Sequence, residues 1–294
     1  DVEKNFSCGK ERQSCEQDDN DNEDCMKCGL GVIDREGRIV NGKEVKPLNK
    51  YPWIVPLNRA NFTVCGGAII SRTFILTAAH CIFDGDKKDN LECIGYSPEK
   101  ECYISENEFS IYLLGSQRFG QKLEIKRFIP HDRYYHNLLI NDIALIELAQ
   151  PIKCSTETYP ICLATDEEMY KDDQIILVAG WGWNTPTGYK PPKKLREGVM
   201  RQVSSHNCMV EQYPTETVNQ LHCAVGTDQT ICYSDSGTST FINFKERFYT
   251  LGVTSNSQET EEKPPCYPTL FAAFAKVLYF SKWIETHVKD LPEP

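Results

Sequence analysis

Several features that would assign this 294-residue sequence to other classes of protein are missing. No apolar run approaches the ~20 residues that a transmembrane helix needs, so we expect no association with a membrane. Positive charge is not in excess, because the net charge at pH 7 is −10, and this argues against binding to nucleic acid. The first ten residues lack the basic and then apolar pattern of a signal peptide, so we expect that any such peptide has been removed.

Metal-finger spacing is also absent. Cys25 and Cys28 form one C-x-x-C pair, and no second pair or His pair completes a zinc site. The 14 cysteines are even in number and dispersed, which is typical of disulfides formed in an oxidising compartment. Two N-glycosylation triplets, at Asn5 and Asn61, fit the same secretory route. We therefore predict a secreted, extracellular glycoprotein that uses no metal or other cofactor.

The first 38 residues differ in composition from the rest of the chain. They hold four cysteines and an acidic stretch at positions 16–24, with too little apolar material for a core of their own. The acidic stretch is interpreted as a solvated segment, since it lacks the glycine and glutamate spacing of a calcium loop. We predict a disulfide-tethered pro-segment or light chain over residues 1–38 and one folded domain over residues 39–294.

Beyond residue 38 the chain consists of short β-like runs separated by Gly, Pro and Asn. Many short strands with turn signals between them are typical of β-barrels and β-sandwiches. Helical periodicity is clear only near the end, and Pro292 predicts that this helix stops at or before Leu291. The clearest strand-like runs are 67–70, 74–77, 111–114, 143–146, 175–178 and 248–251. The apolar face of the helix is predicted to contain Phe274, Val277, Leu278, Trp283 and Ile284.

Three short segments contain residue types that work together in one kind of chemistry. His80 follows a strand-like run, Asp142 stands at the start of an apolar run, and Ser236 lies in a turn next to glycine. A serine hydroxyl is a weak nucleophile until a neighbouring base takes its proton. Histidine can accept and return that proton near neutral pH, and a carboxylate on its other ring nitrogen fixes the tautomer. Taken singly, each residue is more often structural, and only the combination indicates nucleophilic catalysis.

These segments resemble the trypsin-like (chymotrypsin-fold) serine peptidases. The similarity covers roughly residues 38–290, and the order His, Asp, Ser is the one found in that family. It implies an all-β fold of two packed six-stranded antiparallel β-barrels with a C-terminal helix. It also implies that His80, Asp142 and Ser236 form a catalytic triad. The motifs are Arg38-Ile-Val-Asn-Gly42, Leu76-Thr-Ala-Ala-His80-Cys81, Asn141-Asp-Ile-Ala-Leu-Ile-Glu-Leu148, Ala179-Gly-Trp-Gly182 and Cys232-Tyr-Ser-Asp-Ser236-Gly237.

The resemblance implies a zymogen. Cleavage between Arg38 and Ile39 would free an α-amino group that is mostly protonated at neutral pH. In the family this ammonium pairs with the aspartate before the nucleophile, here Asp235. The alternative is that Arg38 is simply an exposed loop residue. We expect an activating trypsin-like peptidase, protein or peptide substrates, and protein inhibitors as partners.

The resemblance also implies disulfide pairings. A further bridge of many family members has Ile176 and Ile242 at its two positions here, so we expect apolar packing in its place. The implied bridges are Cys65–Cys81, Cys208–Cys223, Cys232–Cys266 and Cys28–Cys162. Cys93 and Cys102 are expected to close an insertion loop, whereas Cys8, Cys15, Cys25 and Cys154 cannot be paired from the sequence.

The nucleophile turn departs from the family pattern. Family members have a glycine two residues before the serine and Gly-Gly-Pro after it, where this chain has Ser234 and Gly237-Thr238-Ser239. The implied oxyanion hole uses the backbone N–H groups of Ser234 and Ser236, and a side chain at position 234 can tilt its donor. Two hypotheses follow. The intact triad favours an active endopeptidase, whereas Ser234 and Thr238 favour a weak or inactive homologue that acts as a binding or regulatory protein.

The predicted specificity pocket is neutral. Members that prefer Lys or Arg have an aspartate two residues before the cysteine of the nucleophile turn, and this chain has Thr230 there. A neutral floor cannot offset the desolvation of a buried cation. The resemblance implies that Ser257 and Thr269 replace wall glycines, that Ser255 matches the serine that supports the triad aspartate, and that Asn256 stands where a tryptophan is common. We predict a secreted serine endopeptidase, a hydrolase that cleaves after an uncharged, small or medium residue.

Overall fold

The computed structural model describes residues 25–30, 42–182, 194–226, 230–258 and 266–294. These residues form two largely antiparallel β-sheets, several short 3-10 turns and one α-helix, which confirms the predicted all-β fold. The strands are β1 (Lys43–Glu44), β2 (Ile54–Arg59), β3 (Phe62–Ile69), β4 (Phe74–Thr77), β5 (Phe109–Leu114), β6 (Phe119–Leu123), β7 (Ile125–Pro130), β8 (Ala144–Leu148), β9 (Cys162–Leu163), β10 (Ile175–Gly180), β11 (Arg196–Val203), β12 (Leu221–Gly226), β13 (Ser239–Phe244), β14 (Arg247–Ser257) and β15 (Phe271–Lys276), and the helix is α1 (Val277–His287).

The C-terminal half contains a closed barrel. Six strands follow the order β11-β10-β13-β14-β15-β12, and β12 pairs back with β11 to close the ring. The short strands β1 and β9 add to β11 and β14. Ile176 and Ile242 are buried in one apolar cluster with Leu251 and Phe274. The apolar packing expected in place of a disulfide is therefore present in the barrel core.

The N-terminal half is a curled half-barrel of seven strands in the order β6-β5-β2-β3-β4-β8-β7. Strand β4 lies between β3 and β8 and is buried along its whole length, which explains its uninterrupted apolar sequence. In the antiparallel register Thr77 of β4 pairs with Ala144 of β8. The residues that follow β4 therefore lie next to the residues that precede β8.

The C-terminal helix differs from its prediction at one residue. Helix α1 buries Val277, Phe280 and Ile284 and ends at His287, before Pro292. Phe274, which the spacing assigned to the helical face, lies instead in β15, where strands pair on both sides of it. Ladder hydrogen bonds to two neighbours outweigh a short stretch of helical periodicity. No helix in the described part of the chain is long and apolar enough to cross a bilayer.

Residues 25–30 are bound to distant parts of the domain. The Gly29 backbone N–H donates to the Pro160 carbonyl at 2.8 Å, and the Gly29 carbonyl accepts from Phe248 at 2.9 Å. Gly29 has φ +67°, and a Cβ there would lie 2.5 Å from the Phe248 oxygen, so only glycine fits. The Cys28 N–H also donates to the carbonyl of Glu293 near the C-terminus. The remainder of the predicted segment 1–38 lies outside the described residues.

Six disulfides are present among the described residues. Five of them join cysteines that the sequence analysis paired, and the bridge between Cys25 and Cys154 resolves a pairing that it left open. Cys8 and Cys15 lie outside the described residues. Two bridges thus connect the N-terminal segment to the folded domain. The six are Cys25–Cys154, Cys28–Cys162, Cys65–Cys81, Cys93–Cys102, Cys208–Cys223 and Cys232–Cys266.

Candidate active site

The pairing of β4 with β8 brings His80 and Asp142 together. His80 lies in the 3-10 turn Ala79–Cys81 that follows β4, and Asp142 lies two residues before β8. The Asp142 carboxylate accepts from the His80 backbone N–H at 2.9 Å and contacts His80 Nδ1 at 2.7 Å. Because a carboxylate only accepts, Nδ1 must hold the proton, which leaves Nε2 as the basic nitrogen.

Asp142 is buried and extensively hydrogen-bonded. A third donor, the Ser255 hydroxyl on β14, reaches its carboxylate at 2.5 Å from the C-terminal barrel. Burial by itself would raise the pKa of Asp142, but the charge of His80 and these hydrogen bonds hold that pKa below its usual value. Burial disfavours the charged form of His80, yet the charge and hydrogen bond of Asp142 raise the His80 pKa. The carboxylate therefore orients the imidazole and stabilises its protonated form.

Four residues that the sequence did not indicate form contacts around the loop before Asp142. Gln220 Oε1 accepts from the Asn141 backbone N–H at 2.6 Å. The hydroxyl of the buried Tyr134 lies 2.9 Å from His136 Nδ1. The His136 ring stacks on Phe83, with the ring centroids 3.9 Å apart. No local motif marks these residues, because their role depends on loops that meet only in the folded chain.

The turn that contains Ser236 packs against the loop of His80. The Gly66 N–H donates to the Ser236 carbonyl at 2.8 Å. Gly237 has φ +76°, and a Cβ there would lie 2.5 Å from the Gly66 oxygen and 3.1 Å from Cys81 Sγ, so a larger residue would separate the two loops. Within the described residues the Ser236 hydroxyl makes no hydrogen bond to His80, whose Nε2 lies 3.9 Å from Cys81 Sγ. Such bonds often tighten only when substrate binds.

The serine that replaces the family glycine has a left-handed backbone. Ser234 has φ +73°, a conformation that costs a non-glycine residue roughly 1–2 kcal/mol. Thr238, the other departure, is 3% exposed, and its hydroxyl donates to the Asp235 carbonyl at 2.6 Å. The turn is therefore strained at one end and braced by a side-chain hydrogen bond at the other.

The Asp235 carboxylate lies against the end of β10. Its oxygens accept from the backbone N–H groups of Gly182 at 2.6 Å and Cys232 at 2.8 Å, and no cation pairs with it among the described residues. Burial raises the pKa of Asp235 to about 7, although the two backbone donors lower it. The predicted partner is the new amino group of Ile39, and the Arg38–Ile39 junction lies outside the described residues.

The predicted pocket residues lie in different environments. Ser255 is 9% exposed, and its hydroxyl donates to Asp142. Ser257 is half-buried at the end of β14, and Thr269 is exposed in the turn before β15. The hydroxyl oxygen of Thr230 is enclosed and has no hydrogen-bond partner within the described chain. Leaving such a group unpaired costs about 1–3 kcal/mol.

One group of potential metal ligands comes within short range in the described residues. It consists of Cys65, His80 and Cys81. Both cysteines are joined in one disulfide and have no thiolate to offer, and His80 Nδ1 is bound to Asp142. This group is therefore unsuited to hold a metal ion.

Comparison with known proteins agrees with this geometry. The sequence pattern of the family described as "Trypsin" matches residues 39–284. The chain belongs to the trypsin family. Kallikrein 1-related peptidase b21 of Mus musculus is 26% identical over 284 residues, which cover 91% of this chain and 97% of that protein. Kallikrein 1-related peptidase b16 of Mus musculus is 27% identical over 277 residues, which cover 88% and 95%.

A longer trypsin-family relative also aligns. Vitamin K-dependent protein C of Mus musculus is 26% identical over 302 residues, which cover 97% of this chain but 59% of that protein. In the described structure of this chain, His80 and Asp142 form a hydrogen-bonded pair. The Ser236 turn lies next to that pair and contains Ser234, which has a left-handed backbone.

Proposed function

We propose that the chain is a secreted serine endopeptidase with His80, Asp142 and Ser236 as its triad. The observation that supports this is the hydrogen-bonded His80–Asp142 pair with the Ser236 turn packed against it. Ser236 Oγ attacks the scissile carbonyl while His80 Nε2 takes its proton and returns it to the leaving amine. Asp142 stabilises the imidazolium, and the backbone N–H groups of Ser234 and Ser236 bind the developing oxyanion. Six disulfides favour formation in an oxidising, extracellular route.

The proposal includes activation by cleavage after Arg38. The enclosed Asp235 carboxylate has a pKa of about 7, so near neutral pH it is poised between its neutral and charged forms. The ammonium group of a freed Ile39 would pair with it and favour the charged form. That pairing would hold the neighbouring oxyanion turn in shape. A trypsin-like peptidase is the proposed activator, because it must accept Arg38 as its P1 residue.

The proposed substrates are proteins or peptides with an uncharged, small or medium P1 residue. Thr230 supplies a neutral pocket floor, and the side chains of Ser257 and Thr269 narrow the walls. Burial raises the pKa of Tyr213, and a side-chain hydrogen bond with Asn256 opposes that shift. The position where the family often places a tryptophan therefore carries a polar side chain that contacts Tyr213. This disfavours a large apolar substrate residue at the adjacent subsite. Protein inhibitors are the other proposed partners.

A second candidate function is a binding or regulatory protein with little or no catalysis. It is favoured by the left-handed backbone of Ser234 and by the missing Ser236–His80 hydrogen bond in the described structure. Labelling with a fluorophosphonate, which reacts with an activated serine, distinguishes the two candidates.

The label is applied to the full chain before and after cleavage, with Ser236→Ala as the matched control. N-terminal sequencing that detects Ile39 verifies the cleavage. The peptidase predicts labelling of the cleaved wild type alone. Absence of labelling in verified cleaved protein would leave the fold intact and favour the binding protein.

A further inference from the structure

The β2–β3 hairpin presents Asn61 in an exposed turn. The turn consists of Ala60 and Asn61, with φ of +48° and +68°, between the paired residues Arg59 and Phe62. Asparagine adopts this left-handed conformation more readily than most residues. Asn61 is exposed, and its side-chain amide makes no hydrogen bond to any described residue. The triplet Asn61-Phe62-Thr63 is one of two Asn-x-Ser/Thr triplets in the sequence.

We propose that Asn61 is N-glycosylated and that its glycan shields this hairpin beside the active site. The donor is a lipid diphosphate-linked oligosaccharide, the usual co-reactant of the secretory route. A bond forms between Asn61 Nδ2 and C1 of the first sugar, and the bond between C1 and the diphosphate oxygen breaks. The lipid diphosphate leaves with the bonding electrons, and the amide proton goes to a base. Thr63 supplies the hydroxyl that the acceptor triplet requires.

The hairpin around Asn61 exposes apolar side chains that a glycan could cover. Phe62 is 58% exposed and Val64 is 36% exposed, so the hairpin presents apolar side chains to solvent next to the acceptor. By contrast, Arg59 on the facing strand is engaged in an ion pair with Glu108 at 2.8 Å. Exposed apolar residues near a hairpin end favour unwanted association between chains. A hydrophilic glycan on the adjacent residue reduces that exposure.

The position of the hairpin links the glycan to access to the active site. Strand β3 begins at Phe62 and contains Gly66, whose N–H donates to the carbonyl of Ser236. Four residues of extended strand span about 13 Å. A branched glycan attached at the turn therefore stands at the border of the site. A folded protein must approach past it, whereas a short peptide need not. This consequence rests on the proposed peptidase function.

Glycan occupancy is measured on the full chain secreted from a eukaryotic host, by intact mass before and after peptide N-glycosidase treatment. Asn61→Asp removes the acceptor amide and keeps a residue that tolerates the left-handed turn. Thr63→Ala removes the hydroxyl, whereas Thr63→Ser keeps both the triplet and a donor to Asn58, which now accepts from Thr63 at 2.8 Å. We expect Asn61→Asp and Thr63→Ala to lose the mass of one glycan and Thr63→Ser to retain it. An unmodified Asn61 in the secreted wild type would overturn the proposal.

The shielding is measured with two substrates, a folded protein and a short peptide amide. Asn61→Asp should raise the ratio of protein cleavage to peptide cleavage several-fold and leave the peptide rate unchanged, since Asn61 contacts none of the catalytic residues. An unchanged ratio would contradict the shielding. If neither substrate is cleaved, the peptidase proposal fails but the mass measurement still decides glycan occupancy. Binding of an apolar fluorescent dye, expected to increase in Asn61→Asp, then decides the shielding.

Discussion

The two halves of the active site differ in how completely their polar groups are satisfied. In the first half Asp142 accepts three hydrogen bonds, from His80 twice and from Ser255. In the second half Ser234 has a left-handed backbone, Asp235 has a pKa raised by burial, and the hydroxyl of Thr230 lacks a partner in the described structure. Within the described residues the His80–Asp142 pair is therefore fully hydrogen-bonded, whereas the turn of Ser236 and the proposed pocket are not. We propose that the amino group freed by activation cleavage pairs with Asp235 and that the substrate fills the pocket.

The largest expected effect on activity comes from a substitution in the His80–Asp142 pair. Asp142→Asn should lower kcat by about 10⁴-fold, because an amide no longer stabilises the imidazolium and favours the wrong tautomer of His80. Asp142 raises the pKa of His80, so this variant should also shift the acid limb of the kcat/KM profile to lower pH. Both changes are measured with one peptide substrate over a range of pH. A loss of less than tenfold would mean that this half is not the catalytic base system.

The next effect concerns Asp235 in the uncleaved chain. Its pKa is about 7 in the folded state, compared with an ordinary value of 3.8, so the folded state holds a proton that the unfolded state has lost. The contribution of this proton to the free energy of unfolding is complete below pH 3.8 and is lost as the pH rises through about 7. It amounts to about 4 kcal/mol, at 1.36 kcal/mol per pKa unit.

Denaturant unfolding of wild type and Asp235→Asn at several pH values measures this contribution. His80, whose pKa is also raised, adds a slope of the same sign, and the difference between the two proteins removes it. Between pH 4 and 7 the free energy of unfolding should fall more in the wild type than in Asp235→Asn. In the cleaved protein the contribution of Asp235 should instead increase with pH, because the Ile39 ammonium favours the charged carboxylate. Equal slopes before and after cleavage would exclude that pairing.

A substitution of Thr230 tests the proposed pocket floor. Thr230→Asp should raise the preference for Arg or Lys over a neutral P1 residue by about 10²-fold, because a buried carboxylate offsets the desolvation of the cation. Thr230→Val is the matched control, since it keeps the shape of the side chain and removes only the hydroxyl. It should retain the neutral preference. A cleavage profile of a peptide library measures both variants, and an unchanged profile in Thr230→Asp would place this residue outside the pocket.

The smallest expected effect concerns the strain at Ser234. Ser234→Gly should raise kcat about tenfold, because glycine relieves the left-handed strain of roughly 1–2 kcal/mol and allows the oxyanion donor to align. Ser234→Ala keeps the Cβ and should not raise kcat. Steady-state kinetics of the cleaved proteins measure both. A rate that stays the same in the glycine variant would show that the turn is already aligned, and the contrast between the two halves would then weaken.

Local patterns predicted much of this fold and could not predict the rest. The runs at 74–77 and 111–114 lie in strands because alternating or continuous apolar residues reflect burial directly. The partner of Cys25 could not be predicted, since Cys154 is 129 residues away and no pattern links the two. Gln220 was missed for the same reason, because an isolated amide acquires its role only from the loop that it meets.

The amino-acid sequence by itself determined the family, the order of the three catalytic candidates and the unusual residues of the nucleophile turn, because these are properties of short contiguous motifs. Only the tertiary structure decided that Gln220 accepts a hydrogen bond from the Asn141 backbone N–H and that Ser234 adopts a left-handed backbone. The physical reason is that hydrogen bonds and backbone strain of this kind depend on strand register and on the packing of two sheets. Neither is encoded in neighbouring residues alone.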